Sequence, residues 1–145
     1  MLSRQQYNVL ILDKSSKKEL LGVKDSRTSA ISQGSSRILK ELSIWNKIKN
    51  KAQPINEINV SEGINSNELD FKSEILNEGP LGYIVDNTYL KKIVFKEVLE
   101  SNFLKFVGGV NIKDIKSTAG SATIFSNKGN FNAPLIVGAD GRNSK

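Results

Sequence analysis

The sequence contains no cysteine and no histidine among its 145 residues. Without cysteine there is no disulfide, no thiolate metal ligand and no cysteine nucleophile. Without histidine there is no Ser-His catalytic pair and no imidazole zinc ligand, and the commonest general base is missing. Any chemistry must therefore come from carboxylates, hydroxyls and amides or from a bound cofactor, and we predict no metal site.

Long apolar runs are also missing, because no stretch approaches the roughly 18 apolar residues that a membrane-spanning helix needs. Nor does an apolar segment follow Arg4, as a secretory signal would require. The chain has only three prolines, no internal repeat and no proline-rich linker. Hydrophobic residues make up 38% and charged residues 25%, which is typical of a globular chain of one-domain length. We therefore expect a single domain over residues 1–145.

Basic residues outnumber acidic ones by 21 to 15, which gives a net charge of +6. Such a balance can favour nucleic acids or anionic membranes. Here the basic residues are scattered, only four of them are arginine, and the few aromatic residues do not interleave with them. We expect a solvated surface and no nucleic-acid partner. The alternative, a generic nucleotide- or nucleic-acid-binding module, predicts salt-sensitive binding of polyanions.

The order of apolar patterns predicts a mixed α/β domain. Residues 9–12 form an apolar run that ends in Asp13, as in a buried parallel strand. Residues 28–48 repeat apolar positions at helical spacing, and residues 87–101 do the same behind Asn87 as a candidate cap. Residues 15–26 are predicted as a loop. Further strands are predicted at 55–60, 69–72, 81–86, 104–107, 110–115, 122–125 and 135–137. The resulting fold is a parallel sheet with an antiparallel β-meander inserted before its last strand.

Two acids that end predicted strands are candidates for binding a nucleotide. Asp13 occupies the position where a dinucleotide-binding fold holds the adenosine ribose, since a carboxylate accepts hydrogen bonds from both ribose hydroxyls. Its alternative role is that of a solvated turn acid. Asp140 is flanked by Gly138 and Gly141, and glycines let backbone amides approach a ligand closely. The alternative there is an ordinary turn between a strand and a helix.

Arg27 is the third candidate, because it precedes the predicted start of the helix at Thr28. Backbone N–H groups and the helix dipole favour anions at that end of a helix. The alternative is a surface arginine in a loop.

Four segments in this order resemble the FAD-dependent hydroxylases of ubiquinone biosynthesis. The first is Asp-Ser-Arg-Thr-Ser-Ala-Ile-Ser at 25–32, followed by Leu39, Leu42 and Trp45 in the next helix. The second covers residues 54–61, and the third is Leu-Gly-Tyr-Ile-Val-Asp-Asn at 81–87. The fourth, at 137–144, is similar to the Asp-Gly motif of the para-hydroxybenzoate-hydroxylase type of flavin monooxygenase. The resemblance covers nearly the whole chain but only about the first third of a typical family member.

The resemblance implies FAD as cofactor, NAD(P)H as electron donor and a polyprenylated phenol as the substrate that is hydroxylated. Asp13 would hold the adenosine ribose, and Arg27 would reach the pyrophosphate or ribityl region. Asp140 and Gly141 would lie beside the pyrophosphate and the ribityl chain. A cytoplasmic location follows, with peripheral contact to the inner membrane as an option because the substrate is a polyprenyl lipid.

The chain departs from the family at both ends. It stops at Lys145, directly after the Asp-Gly motif, so that the family's later Gly-Asp motif, which lies against the flavin, would lie beyond that end. Only twelve residues precede Asp13 and none is glycine, so the first strand and its Gly-x-Gly-x-x-Gly turn are missing. The loss of this strand would leave residues 9–12 and 135–137 without a shared neighbour. We therefore expect a partial FAD-binding fold, truncated at both ends, which is inactive alone and does not retain stoichiometric FAD. The alternative is a non-catalytic remnant, or a piece that pairs with a separately encoded complement.

Overall fold

A computed structural model describes residues 1–22, 24–61, 68–76 and 78–141. Contacts divide these residues into two compact units, the first within residues 24–97 and the second formed by residues 2–22 together with 98–141. Each unit is described by itself.

The described residues form ten strands, five α-helices and two short 3₁₀ turns. The strands are β1 Val9–Leu12, β2 Thr28–Ser32, β3 Gln53–Ile55, β4 Glu57–Ser61, β5 Glu68–Lys72, β6 Gly82–Asp86, β7 Leu104–Val107, β8 Ile112–Thr118, β9 Ser121–Ser126 and β10 Gly129–Ala133. The helices are α1 Lys17–Gly22, α2 Gln33–Glu41, α3 Trp45–Ile48, α4 Ser73–Leu76 and α5 Asn87–Glu100. The 3₁₀ turns are Leu2–Gln5 and Lys49–Lys51. Among these helices none is long and apolar enough to cross a bilayer.

The first unit is built on an antiparallel sheet in which β6 lies between β2 and β3. Its hydrophobic core consists of Ile31, Trp45, Ile48 and Val85, all buried. The Trp45 ring meets Tyr83 edge-on at 4.6 Å between centroids, the geometry that aromatic rings prefer. Side chains of α2, α3 and α5 complete this core around one face of β2 and β6.

A two-stranded antiparallel hairpin of β4 and β5 also belongs to the first unit. Ile58 pairs with Phe71 and Val60 pairs with Leu69, so all four apolar side chains lie on one face. These side chains are between 42% and 57% exposed. On the other face Asn59 donates a hydrogen bond to Asp70 at 2.6 Å. The hairpin is therefore amphipathic, and its apolar face remains in contact with solvent.

The second unit contains a parallel pair and an antiparallel meander. β1 pairs with β7 in parallel, with Val9 opposite Leu104, and β8, β9 and β10 form a three-stranded sheet with β9 in the centre. Val110, Ala122 and Ile124 are its buried apolar residues. The meander and the parallel pair confirm the predicted mixed α/β class.

The prediction of one helix over 28–48 is wrong. Residues Thr28–Ser32 form strand β2 instead, and Ser32 then caps α2 by accepting a hydrogen bond from the Ser35 amide at 3.1 Å. Helix α2 ends at Glu41, and Ser43 follows with a φ of +55°, which is incompatible with a right-handed helix. Three of the predicted apolar positions, Ile31, Trp45 and Ile48, are buried in the core. Ile38 is 48% exposed, and Leu39 packs against the core in its place.

The predicted loop over 15–26 contains helix α1. Ser16 and Glu19 form a reciprocal capping box: the Ser16 amide donates to Glu19 Oε2 at 2.6 Å, and the Glu19 amide donates to Ser16 Oγ at 3.2 Å. The first of these bonds also lowers the pKa of Glu19.

Two further predictions about elements are wrong. Residues 135–137 form no strand, and Leu135 and Val137 are 72% and 68% exposed. An extended segment becomes a strand only when a neighbour pairs with its amides, and no described strand does so here. In α5 the cap is Asp86 rather than Asn87, since the Tyr89 amide donates to Asp86 Oδ1 at 2.7 Å.

Candidate functional site

Asp13 lies immediately after β1, at the carboxyl end of the parallel pair. Its amide donates to the carbonyl of Val107 at 3.1 Å, and its carbonyl accepts from the Val110 amide at 2.9 Å. Its carboxylate Oδ1 accepts a hydrogen bond from the Ser15 amide at 2.7 Å. No described residue donates to the other carboxylate oxygen. The half-buried carboxylate is thus held in one orientation with one oxygen available to a ligand.

A glycine pair after β7 brings two loops close together beside Asp13. A Cβ at Gly108 would lie 2.5 Å from the carbonyl oxygen of Ser15, so only glycine fits there. Gly109 has a φ of +68°, and its amide donates to the same Ser15 carbonyl at 3.2 Å. Lys128 Nζ donates to the Gly108 carbonyl at 2.7 Å. This glycine pair was not among the predicted site residues, although two adjacent glycines after an apolar strand are visible in the sequence.

Asp140 and Gly141 end the described chain in the same unit as Asp13. Both are exposed, and they follow residues 134–139, which have no regular secondary structure. Gly141 has a φ of +76°, a conformation that other residues rarely adopt. Among the described residues no hydrogen bond or ion pair joins Asp140 to Asp13, so no direct contact brings the two acids together. The rest of the motif, residues 142–144, lies outside the described residues.

Arg27 lies in the first unit and precedes strand β2, so its predicted position at the start of a helix is wrong. It is next to a different helix, because its carbonyl accepts from the Asn87 amide of α5 at 3.1 Å. Its Nε and Nη2 donate to the two oxygens of Asp25 at 2.8 and 2.9 Å. The Arg27 side chain is 78% exposed, whereas that of Asp25 is only 7% exposed.

The Asp25 carboxylate accepts hydrogen bonds from two polar side chains in the first turns of α5, Asn87 and Lys91. Lys91 Nζ donates to Asp25 Oδ2 at 2.9 Å, and Asn87 Nδ2 lies 3.4 Å from the same oxygen. The hydrogen bonds from Arg27, followed by that from Lys91, hold the pKa of Asp25 far below its ordinary value, and the pair raises the pKa of Arg27. Lys91 was not predicted as a site residue, because it is 66 residues from Asp25 along the chain. A polar first turn in α5, with a lysine four residues after Asn87, was the only local signal.

No family model matches the sequence. Among curated proteins the chain is 26% identical to the ubiquinone hydroxylase UbiL of Rhodospirillum rubrum, over 99% of the chain and 34% of UbiL. It is 25% identical to the mitochondrial ubiquinone biosynthesis monooxygenase COQ6 of Dictyostelium discoideum, over 84% of the chain and 28% of that protein. The chain therefore spans about a third of the length of the curated relatives it matches.

Solved structures share the fold at lower identity. A PqsL mutant from P. aeruginosa superposes with a TM-score of 0.76 at 15% identity, covering 99% of the chain and 39% of PqsL. The p-nitrophenol 4-monooxygenase PnpA of Pseudomonas putida gives 0.70 at 12% identity, covering 90% of the chain and 33% of PnpA. CtdE, solved in complex with FAD, gives 0.64 at 17% identity, covering 95% of the chain and 33% of CtdE. The chain is thus similar in sequence to ubiquinone hydroxylases and shares part of the α/β fold of PnpA and CtdE.

Proposed function

We propose that the chain is part of an FAD-dependent monooxygenase that hydroxylates the ring of a polyprenylated phenol in ubiquinone biosynthesis. The sequence relation to UbiL and COQ6 supports the reaction class, and the likeness to PnpA and CtdE supports the fold that the cofactor requires. The structural observation that carries the proposal is Asp13, a half-buried acid held at the end of a parallel strand with one oxygen available.

Asp13 fits the ribose of FAD. A ribose diol presents two O–H donors, and a carboxylate is acceptor-only, so the two are complementary. The Ser15 amide already fixes the orientation of the carboxylate. Binding therefore costs little side-chain entropy, and a charge-assisted hydrogen bond is stronger than a neutral one.

Arg27, Asp140 and Gly141 are the further residues that would meet the cofactor. Arg27 keeps exposed N–H donors beyond those directed at Asp25, which suits a phosphate oxygen. Gly141 lets the backbone approach a ligand, and the exposed Asp140 carboxylate beside it accepts hydrogen bonds from hydroxyls of a ribityl chain. Bound FAD would supply the ring hydroxylation with electrons from NAD(P)H, and these side chains bind and orient it. A polyprenyl substrate favours an enzyme at the periphery of the inner membrane.

Titration of the purified chain with FAD, followed by flavin fluorescence, tests the proposal. We expect saturable, reversible binding that is lost on desalting, because the chain has no glycine before β1 to form the main phosphate-binding turn. Asp13→Asn should weaken FAD affinity by about tenfold, the effect of losing a hydrogen bond to a charged group.

The matched control for this titration is Asp114→Asn, which removes the same charge from β8, where the Ile115 amide is the one donor to the carboxylate within the described part of the chain. It should leave the affinity unchanged. Equal effects of the two variants, or no saturable FAD signal with the wild-type chain, would contradict the proposed function.

The second candidate is a piece that binds FAD only together with a separately encoded complement. The glycine-free segment before β1 favours it. Supplying a strand–turn–helix segment of about 25 residues with a Gly-x-Gly-x-x-Gly turn should then create binding that survives desalting. FAD binding that is unchanged after this addition would contradict the second candidate.

A further inference from the structure

Arg27 and Lys91 share one buried carboxylate and both extend into solvent. Each donates to Asp25 Oδ2 at 2.9 Å, so the two cationic groups are immediate neighbours. The side chain of Asp25 is 7% exposed, whereas the side chains of Arg27 and Lys91 are 78% and 57% exposed. The anion therefore lies on the protein side of the cluster and the two cations on the solvent side.

Asp25 is itself fixed to helix α5 through its backbone. Its amide donates to Thr88 Oγ1 at 2.9 Å, and the Thr88 hydroxyl donates to the Asp25 carbonyl at 3.0 Å. Asn87 adds a contact to the carboxylate, and its own Oδ1 accepts from Ser29 Oγ at 2.5 Å. Both backbone and carboxylate of Asp25 are thus held, and the bidentate pair transfers this fixed position to the guanidinium of Arg27.

The cluster retains one positive charge after the ion pairs are counted. Within the described residues no acid other than Asp25 pairs with Arg27 or Lys91. An ammonium has three donors and a guanidinium five, so each group keeps N–H donors directed away from Asp25. Two neighbouring cations with free donors suit two linked phosphate groups better than a single carboxylate.

We propose that Asp25 is a positioning residue that holds Arg27 and Lys91 together as a two-cation site for a diphosphate group, with Lys91 as the second binding residue. The identity of the ligand as the diphosphate of FAD rests on the proposed function. Direct recognition belongs to Arg27 and Lys91, and Asp25 acts only through them.

Inorganic pyrophosphate is the probe for the site itself, followed by NMR of the Arg27 side-chain Nε–H group and by the melting temperature. Lys91→Gln should weaken pyrophosphate affinity by about fivefold, as expected for one exposed ion pair. Lys92→Gln removes the same charge from the adjacent exposed position on α5 and should change the affinity by less than about twofold. Lys91→Arg should retain the wild-type affinity. Equal effects of Lys91→Gln and Lys92→Gln would overturn the two-cation site.

The variant Asp25→Asn distinguishes a role of Asp25 in positioning the two cations from the effect of its negative charge alone. Removal of a negative charge alone should strengthen pyrophosphate binding, whereas loss of positioning should weaken it and shift the Arg27 Nε–H resonance. We expect weaker binding and a shifted resonance in a chain that keeps its far-ultraviolet circular dichroism. Tighter binding would overturn the positioning role. Since the exposed Lys91 tests the site independently, the proposal remains falsifiable even if Asp25→Asn unfolds the chain.

The same variants titrated with FAD and with riboflavin, which lacks phosphate, distinguish this proposal from the proposed function. Lys91→Gln should weaken FAD binding and leave any riboflavin binding unchanged. Pyrophosphate binding that depends on Lys91, without any FAD binding, would support the site and contradict the proposed function. FAD binding that is insensitive to both Lys91→Gln and Asp25→Asn would overturn the site and leave the function standing.

Discussion

At the scale of single residues, Asp25 is the described acid whose pKa departs furthest from its ordinary value, because Arg27 and Lys91 hold it far below that value. A depressed pKa in the folded state stabilises the fold at pH values above the unfolded pKa, which is about 3.9 for aspartate. This contribution is lost as the pH falls through the folded pKa. The ion pairs of Asp25 therefore stabilise the protein at neutral pH and progressively less in acid.

Urea unfolding of the wild type and of Asp25→Asn at a series of pH values tests this linkage. Asparagine cannot pair with Arg27 or Lys91 and does not titrate. We expect the variant to be less stable, by an amount that is constant above about pH 5 and narrows below about pH 4. A difference that stays constant down to about pH 2 would show that the carboxylate gains nothing from its partners.

A second prediction at this scale concerns Ile48, which has no exposed surface in the core of the first unit. Ile48→Ala should lower the free energy of unfolding by about 2–5 kcal/mol, because it removes buried methyl groups and leaves a cavity. Ile75→Ala is the control, since Ile75 is 75% exposed, and it should change stability by less than about 0.5 kcal/mol. Similar losses in the two variants, measured by urea denaturation, would contradict the location of the core.

At the scale of elements, regular patterns were predictable and interruptions were not. β6, α5 and β7 could be placed because each has one uninterrupted pattern and clear turn residues beside it. The break between β2 and α2 could not, since Ile31 of the strand and Leu39 of the helix pack into one core at a separation of eight residues, which a single continuous helix would also give. Helix α1 could have been found from the Ser16–Glu19 capping box, which is written in the sequence. Residues 135–137 have the composition of a strand, but pairing depends on a neighbour that composition does not specify.

Gly82 offers a prediction at the element scale, because it joins the pairing of β6 with both β2 and β3. A Cβ there would lie 2.6 Å from the Ile31 carbonyl oxygen, and a paired backbone cannot move away cheaply. Gly82→Ala should therefore destabilise the protein by about 1–3 kcal/mol.

The control for Gly82→Ala is Gly22→Ala in α1, where a Cβ would meet nothing within 4 Å. This variant should be neutral or more stable by up to about 1 kcal/mol, since alanine favours a helix. Thermal melts that show Gly82→Ala as stable as Gly22→Ala would contradict the strand register around β6.

At the scale of the whole molecule, the sequence predicted the fold class and its family resemblance but only part of the polar site. Asp13 and Asp140 could be singled out because acids that follow apolar runs are visible in a linear pattern. Lys91 and Thr88 could not, because they contact Asp25 only after α5 packs beside the segment before β2. Arg27 was predicted beside the start of a helix that follows it directly, whereas the helix start that it contacts is that of α5.

The β4–β5 hairpin has a consequence for how copies of the chain behave toward one another in solution. One face of the hairpin exposes the apolar side chains of Ile58, Val60, Leu69 and Phe71, which favours association of copies through hydrophobic contacts. The net charge of +6 opposes this association by electrostatic repulsion. Salt shortens the range of that repulsion to about 8 Å at 0.15 M and leaves the apolar attraction intact. We therefore expect the average mass in light scattering to grow as sodium chloride is added, and to grow less for Phe71→Ser. A mass that falls with added salt would contradict this expectation, since ionic bonds rather than the hairpin would then hold the particles together.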